Sequence, residues 1–297
     1  MLKCLNFSQL LIILSILLSS VTRAQFDSGE IEKLISLKGQ DIESSVDRIS
    51  GVFLGRKYNT SGPLGEGEEA KYDQDPLWRT DEFDCTTYVE TIMAIILSDS
   101  VEDFQQRMTA IRYLNGEVSF VTRNHFTSLD WVPRNIEEGF IADITDQVFD
   151  SAAVKEAKTV IKKKSWYEKM GESRLSLISK SSKEKNEALE QLRNEGHQFD
   201  DQEARLNYMP IAEIFDHKGR IKNQVFKNIR SAHIINIVRP DWNLEKYIGT
   251  NINVSHQGLA IRKSDGLYFR HASPSGQGVV TEQKLEDYLR KYINHKT

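Results

Sequence analysis

The chain has 297 residues, 39 Lys and Arg against 43 Asp and Glu, a net charge of -4 and 39% hydrophobic residues. This balance excludes the basic face that a nucleic-acid partner would need, and the length suits one large domain or two small ones. Only two cysteines are present, Cys4 and Cys85.

In chain order, the first segment reads as a leader. Lys3 is followed by an apolar run from Leu10 to Leu18 and by small and polar residues ending at Arg23 and Ala24. This is the pattern of a secretory signal peptide cleaved after Ala24. The run falls short of the ~20 residues of a membrane span, which makes a retained anchor the weaker alternative. Cys4 precedes the run, which argues against a lipid attachment there. Losing residues 1–24 removes Lys3 and Arg23, taking the net charge to about -6, and leaves residues 25–297 with Cys85 alone. A lone thiol in an oxidising compartment is either a buried core residue or a reactive group.

Residues 27–58 read as helical, with Ile31, Leu34, Ile35, Ile42, Val46 and Ile49 near the helical period. A Gly-, Pro- and charge-rich loop spans 59–79. Cys85 then opens a helix whose apolar residues are Val89, Ile92, Met93, Ile96 and Leu97, with Asp84 placed to cap it. Residues 101–119 suggest a further helix and turn, and 118–142 suggest strand and loop rich in polar and aromatic side chains. The run 150–230 is heavily charged and reads as helical and loop insertion on the surface. Residues 233–238 form a short strand stopped by Arg239 and Pro240. Residues 256–262 and 266–273 form a hairpin around Asp265-Gly266. A strand near 278–281 and a helix over 285–292 close the chain. Helices early and strands late predict an α+β fold.

Three residues coincide in this scheme. Cys85 lies in the first turn of a helix, where exposed N–H groups favour a thiolate. His256 opens one strand of the hairpin and His271 lies near the end of the other, so both imidazoles can share one face. His256 is then the base and His271 the group that orients it, with the Cys85 N–H as an oxyanion donor. Zinc held by Cys85 and the two histidines is the rival reading, but no closely spaced ligand pair supports it, so no metal or cofactor is expected. His125 is the rival base. His197, His217 and His295 read as bystanders and His233 as structural.

The segment 83–90, Phe-Asp-Cys-Thr-Thr-Tyr-Val-Glu, resembles the nucleophile motif of the NlpC/P60 branch of papain-like cysteine peptidases. The strands holding His256 and His271 resemble that superfamily's base and third-residue strands. Together with 123–131, Arg-Asn-His-Phe-Thr-Ser-Leu-Asp-Trp, they resemble more closely the DUF1460 group of N-acetylmuramoyl-L-alanine amidase-like proteins. The resemblance covers about 50–150 and 230–295. It implies a papain-like α+β core with the Cys helix packed on an antiparallel sheet. It also implies hydrolysis of the bond between the muramoyl lactyl group and L-alanine in soluble muropeptides, anhydro forms included.

Within that resemblance, Arg123, Asn124, His125, Asp130 and Trp131 are expected to bind substrate: Arg123 and Asn124 through acetamido and carboxylate groups, Trp131 through a sugar face. The alternative is a hydrogen-bonded loop that supports the core. Tyr58, Tyr72 and Trp78 are further candidates for the same cleft. The expected protein is thus an exported, periplasmic or secreted monomer acting on peptidoglycan fragments. A γ-D-glutamyl-diaminopimelate endopeptidase and a non-catalytic cell-wall binding module are the alternatives.

Overall fold

The computed structural model describes residues 27–178, 180–222 and 224–294; the leader assigned to 1–24 and His295 lie outside them. The helical start is two helices, α1 (Ser28–Ser36) and α2 (Ile42–Val52), broken by a turn around Gly39. Asp27 and Asp41 cap them by accepting the N–H groups of Glu30 and Ser44. Their apolar stripes bury Ile31, Leu34, Val46 and Ile49. A two-residue strand, β1 (Lys57–Tyr58), pairs in parallel with β2 (Glu82–Phe83), setting Tyr58 opposite Phe83.

Helix α3 (Cys85–Leu97) follows at once. Asp84 Oδ1 accepts the Thr87 N–H at 2.7 Å, and Thr87 Oγ1 accepts the Asp84 N–H at 2.9 Å. Such a reciprocal cap is worth about 1 kcal/mol and fixes where the helix, and so Cys85, begins. Residues Thr87 to Ile95 are all buried, making α3 the central helix. Helix α4 (Val101–Arg112) packs beside it. The next stretch, expected to be strand and loop, instead holds a π-helical turn, Thr127–Trp131, running into α5 (Val132–Glu137). Asp130 holds this turn by accepting the Phe126 N–H.

The charged region departs from its expected helical character. After α6 (Thr145–Val148), strand β3 (Lys155–Lys162) pairs antiparallel with β4 (Asp201–Tyr208) over eight residues. Only α7 (Lys163–Glu168), α8 (Ser182–Gly196) and a short 3-10 turn between them are helical within the hairpin. The reason is a period-two pattern concealed by charge: Ala157, Thr159 and Ile161 are buried while Glu156, Lys158 and Val160 face water.

After α9 (Ile211–Ile214), the main sheet is antiparallel in the order β5 (Ile234–Trp242), β6 (Ile252–Lys263), β7 (Gly266–Ala272) and β8 (Val280–Lys284). The short α10 (Glu245–Ile248) lies between its first two strands, and α11 (Leu285–Arg290) closes the described chain. Strand β5 runs past the expected stop at Arg239-Pro240, with register shifts after Ile237 and Val238. It is an edge strand, where a proline without an N–H is tolerated. Leu259 and Ile261 share a core with α1 to α4, whereas Ala260, Leu267 and Phe269 share one with Leu285 and Tyr288. Arg270 ties the sheet to α2 through Asp47 and Ser50 while pairing with Glu282. The architecture is mixed α+β, as expected. Among the described residues no helix is long and apolar enough to cross a membrane.

Candidate active site

Cys85, the first residue of α3, is half-buried. The backbone N–H groups of Gln257 and Thr86 lie close enough to its sulfur to favour the thiolate, and Thr86 Oγ1 lies 3.9 Å away. The thiol therefore meets strand β6 at the residue next to His256. Burial, reinforced by the Asp84 carboxylate, pushes the thiol up to about 12, against the pull of the surrounding N–H and hydroxyl groups. The helix start was expected to favour the thiolate; burial outweighs it, and the resting sulfur is a thiol.

His256 lies inside β6, not at its start as expected. Its Nε2 is 2.6 Å from Nδ1 of His271, so the two imidazoles do share one face of the hairpin. Burial lowers His256 to about 4, and burial with the charges of His256 and Lys291 lowers His271 to about 3. Both rings are neutral near pH 7. Tyr288 lies over His256 with ring centroids 6.2 Å apart and 19° between planes, and Phe269 stacks on His271 at 4.4 Å.

Gly258 makes this approach possible. A Cβ there would come within 2.8 Å of the His271 Cβ and 2.6 Å of the Phe269 ring. Two tyrosines complete the surroundings. The Tyr58 and Tyr288 hydroxyls lie within the field of the Cys85 sulfur, and burial followed by nearby negative or phenolic groups raises both above the usual phenol range.

A cavity of about 1020 Å³ opens beside His256. Its walls include Trp131, His233, Arg239, Gln283, Tyr288 and Lys291. Of the five residues expected to bind substrate, Trp131 alone lines it. Trp131 is fully buried and donates its indole N–H to Glu90 Oε1 at 2.9 Å. Glu90 in turn pairs with the buried Arg112.

The other four find partners within the protein, although Asn124 Oδ1 is buried without one. Arg123 pairs with Glu66 and Asp73, and Asn124 donates to the Ile111 carbonyl at 3.0 Å. His125 Nε2 is 2.7 Å from the Phe120 carbonyl, with its ring between Phe120 and Trp166. Burial and the Arg123 charge hold it well below the ordinary histidine range. Asp130 pairs with Lys163 at 2.6 Å. Arg123, Asn124, His125 and Asp130, expected to reach a ligand, lie outside the cavity lining and take part in a brace that joins α4 and the π-helical turn to the surrounding loops and α7. His125, the rival base, belongs to this brace. His233, expected to be structural, accepts the Arg230 N–H but also lines the cavity.

Among the described residues no group of three His, Cys, Asp or Glu is arranged to hold a metal ion, the set of Cys85, His256 and His271 included. Gln257, Gln283, Tyr288 and Lys291 were not anticipated. No motif marks them, because β-sheet register and the docking of α11 are what bring them to the histidines.

A family model described as AmiA-like, N-acetylmuramoyl-L-alanine amidase-like, matches residues 48–294. The match runs through the charged stretch that the expected resemblance left uncovered. A crystal structure of a Legionella pneumophila protein of the DUF1460 family is 35% identical, covering 89% of this chain and 89% of its own, with a TM-score of 0.85. A crystal structure of an N-acetylmuramoyl-L-alanine amidase from Bacteroides uniformis shares the fold at 21% identity, covering 85% of this chain and 94% of its own, with a TM-score of 0.57. No curated protein matches the chain.

Proposed function

Because the chain belongs to the N-acetylmuramoyl-L-alanine amidase-like family, we propose that it is an exported cysteine amidase that splits the bond between N-acetylmuramic acid and L-alanine in soluble peptidoglycan fragments. Anhydro-muramoyl peptides are included among its substrates. The mature protein is then residues 25–297, a single papain-like domain of the NlpC/P60 kind with an insertion at about 150–230. It acts as one copy in the periplasm or outside the cell. The observation that carries the reading is the meeting of the Cys85 thiol with β6 beside His256, whose far nitrogen is engaged by His271.

In this mechanism Cys85 and His256 start neutral. His256 Nδ1 takes the thiol proton as the sulfur attacks the lactyl carbonyl, and the Cys85 N–H at the start of α3 faces the developing oxyanion. His256 then gives that proton to the departing L-alanine nitrogen. Water, deprotonated by the same imidazole, cleaves the thioester. His271 keeps the His256 ring aligned throughout. The cavity beside His256 is large enough for a sugar–peptide ligand.

The test is incubation of residues 25–297 with purified soluble muropeptides under reducing conditions, without added metal, with products identified by mass spectrometry. Free sugar and an intact peptide beginning with L-alanine are expected. A sugar still carrying L-Ala-D-Glu would instead identify the γ-D-glutamyl-diaminopimelate endopeptidase. No cleavage would overturn the catalytic reading in favour of a binding module.

A further inference from the structure

The line of hydrogen bonds that begins at His256 does not end at His271. Gln283 Nε2 stands 3.1 Å from His271 Nε2, and Lys291 Nζ stands 2.9 Å from Gln283 Oε1. The sheet register explains the first contact. Phe269 pairs with Gln283 and His271 with Thr281, so Gln283 points to the same face as His271. Lys291, just beyond α11, provides the second. Gln283 and Lys291 line the cavity with His256 and Tyr288, whereas His271 is 1% exposed and takes its proton arrangement from its neighbours.

Hydrogen-bond polarity along this line is decided at its outer end. An ammonium group only donates, so Lys291 turns Gln283 Oε1 toward itself and the amide N–H groups toward His271. His271 Nε2 must then accept. Its proton lies on Nδ1 and is donated to His256 Nε2, which leaves the His256 proton on its own Nδ1. An imidazole in that tautomer has no free lone pair for the thiol proton. The reversed chain has one: His256 Nε2–H donates to His271 Nδ1, His271 Nε2–H donates to Gln283 Oε1, and His256 Nδ1 is open.

We propose that Gln283 and Lys291 are positioning residues that set the direction of this chain, Lys291 holding the histidines in the idle tautomer until an anionic group of the bound substrate draws it away. The amide then turns over, and water in the cavity takes the proton from His256 Nδ1 and supplies one to His271 Nε2. The shared proton passes from His271 Nδ1 to His256 Nε2, and His256 Nδ1 becomes the base. The proton leaves Cys85 Sγ for His256 Nδ1 while the sulfur electron pair forms the bond to the carbonyl carbon. The imidazolium keeps its Nε2–H on His271 Nδ1, and no proton leaves the chain during the attack. A carboxylate on the peptide portion has the right charge to draw Lys291 off, and Lys291 lines the cavity such a ligand would enter. This inference rests on the assignment of Cys85 and His256 above.

The experiment combines histidine tautomers, read by long-range 1H–15N correlation at pH 7 on the whole mature chain, with steady-state kinetics on a soluble muropeptide and on its carboxyl-amidated form. In the free wild-type protein His271 should carry its proton on Nδ1. In Gln283→Glu, whose carboxylate only accepts, and in Lys291→Met, it should lie on Nε2. Gln283→Leu should lose ~10-fold or more of kcat with little change in KM, because nothing then orders the tautomer, while Gln283→Glu should keep most of it. Lys291→Met should narrow the preference for the carboxylate substrate over its amidated form. Equal losses in Gln283→Leu and Gln283→Glu, or a wild-type His271 already protonated on Nε2, would overturn the proposal. Cys85→Ala separates the two levels: turnover surviving in it defeats the underlying amidase mechanism, whereas an inactive Cys85→Ala beside indistinguishable Gln283 variants defeats this inference alone.

Discussion

His256 Nε2 lies 2.6 Å from His271 Nδ1, on neighbouring antiparallel strands in which residues 259 and 270 are paired. In the proposed mechanism this contact orients the His256 ring, and the other ring nitrogen is the one that takes the thiol proton. Replacing His271 by Ala should therefore lower kcat far more than it changes KM. His271→Asn, which keeps an acceptor near the same place, should recover part of the loss. Cys85→Ala and His256→Ala should each remove activity by on the order of 10⁴-fold or more, while circular dichroism shows a retained fold.

The Cys85 thiol is held up at about 12 by burial. Its alkylation by iodoacetamide should be slow at neutral pH and should climb about tenfold per pH unit as the thiolate fraction grows. A rate that is already high and level between pH 5 and 8 would mean a resting thiolate–imidazolium pair and would contradict the neutral ground state.

Both site histidines are neutral when folded, with His256 lowered to about 4 and His271 to about 3 from an unfolded value near 6.5. The unfolded chain binds more protons than the folded one between those values. Stability should thus be highest above pH 6.5 and fall as the pH drops toward 4 and then 3, by on the order of 1–3 kcal/mol from this pair. Urea unfolding of a His256→Gln, His271→Gln double variant should show a flatter pH dependence over that window.

Gly258 is required by close approach. Gly258→Ala puts a methyl group 2.8 Å from the Arg270 carbonyl oxygen and from His271 Cβ. It should cost about 1–3 kcal/mol of stability and lower activity by displacing His271. Thermal melts and kcat should shift together, and an unchanged kcat would show that the His271 position tolerates the shift.

The brace under the cavity makes a separate prediction. Glu90 joins Arg112 to the Trp131 indole in a fully buried group. Glu90→Ala strands the Arg112 charge and should destabilise the protein by roughly 3–5 kcal/mol, measured by chemical denaturation. Trp131→Phe, which removes one N–H and keeps an apolar wall, should cost less.

Much of the local structure was legible in the chain. The Asp84 cap and the start of α3 follow from a side chain acting three residues away, and the β6–β7 hairpin follows from alternation around Asp265-Gly266. The strand β3 was not legible, because Lys and Glu on its exposed face swamp the buried Ala157, Thr159 and Ile161. The roles of Arg123, Asn124, His125 and Asp130 were not legible either. Polar residues gathered in one run suit a ligand or a brace equally, and their partners Glu66, Asp73, Ile111, Phe120 and Lys163 all come from outside that run.

By itself, then, the sequence singled out the groups proposed to carry the chemistry, Cys85 with His256 and His271, because each sits at a locally encoded helix start or strand. Tertiary structure decided their state and their company. Burial is a property of everything packed around a group, so the neutral thiol and the depressed histidines appear only in the folded chain. Gln283 and Lys291 reach His271 through sheet register and a docked terminal helix, long-range relations that no local pattern records.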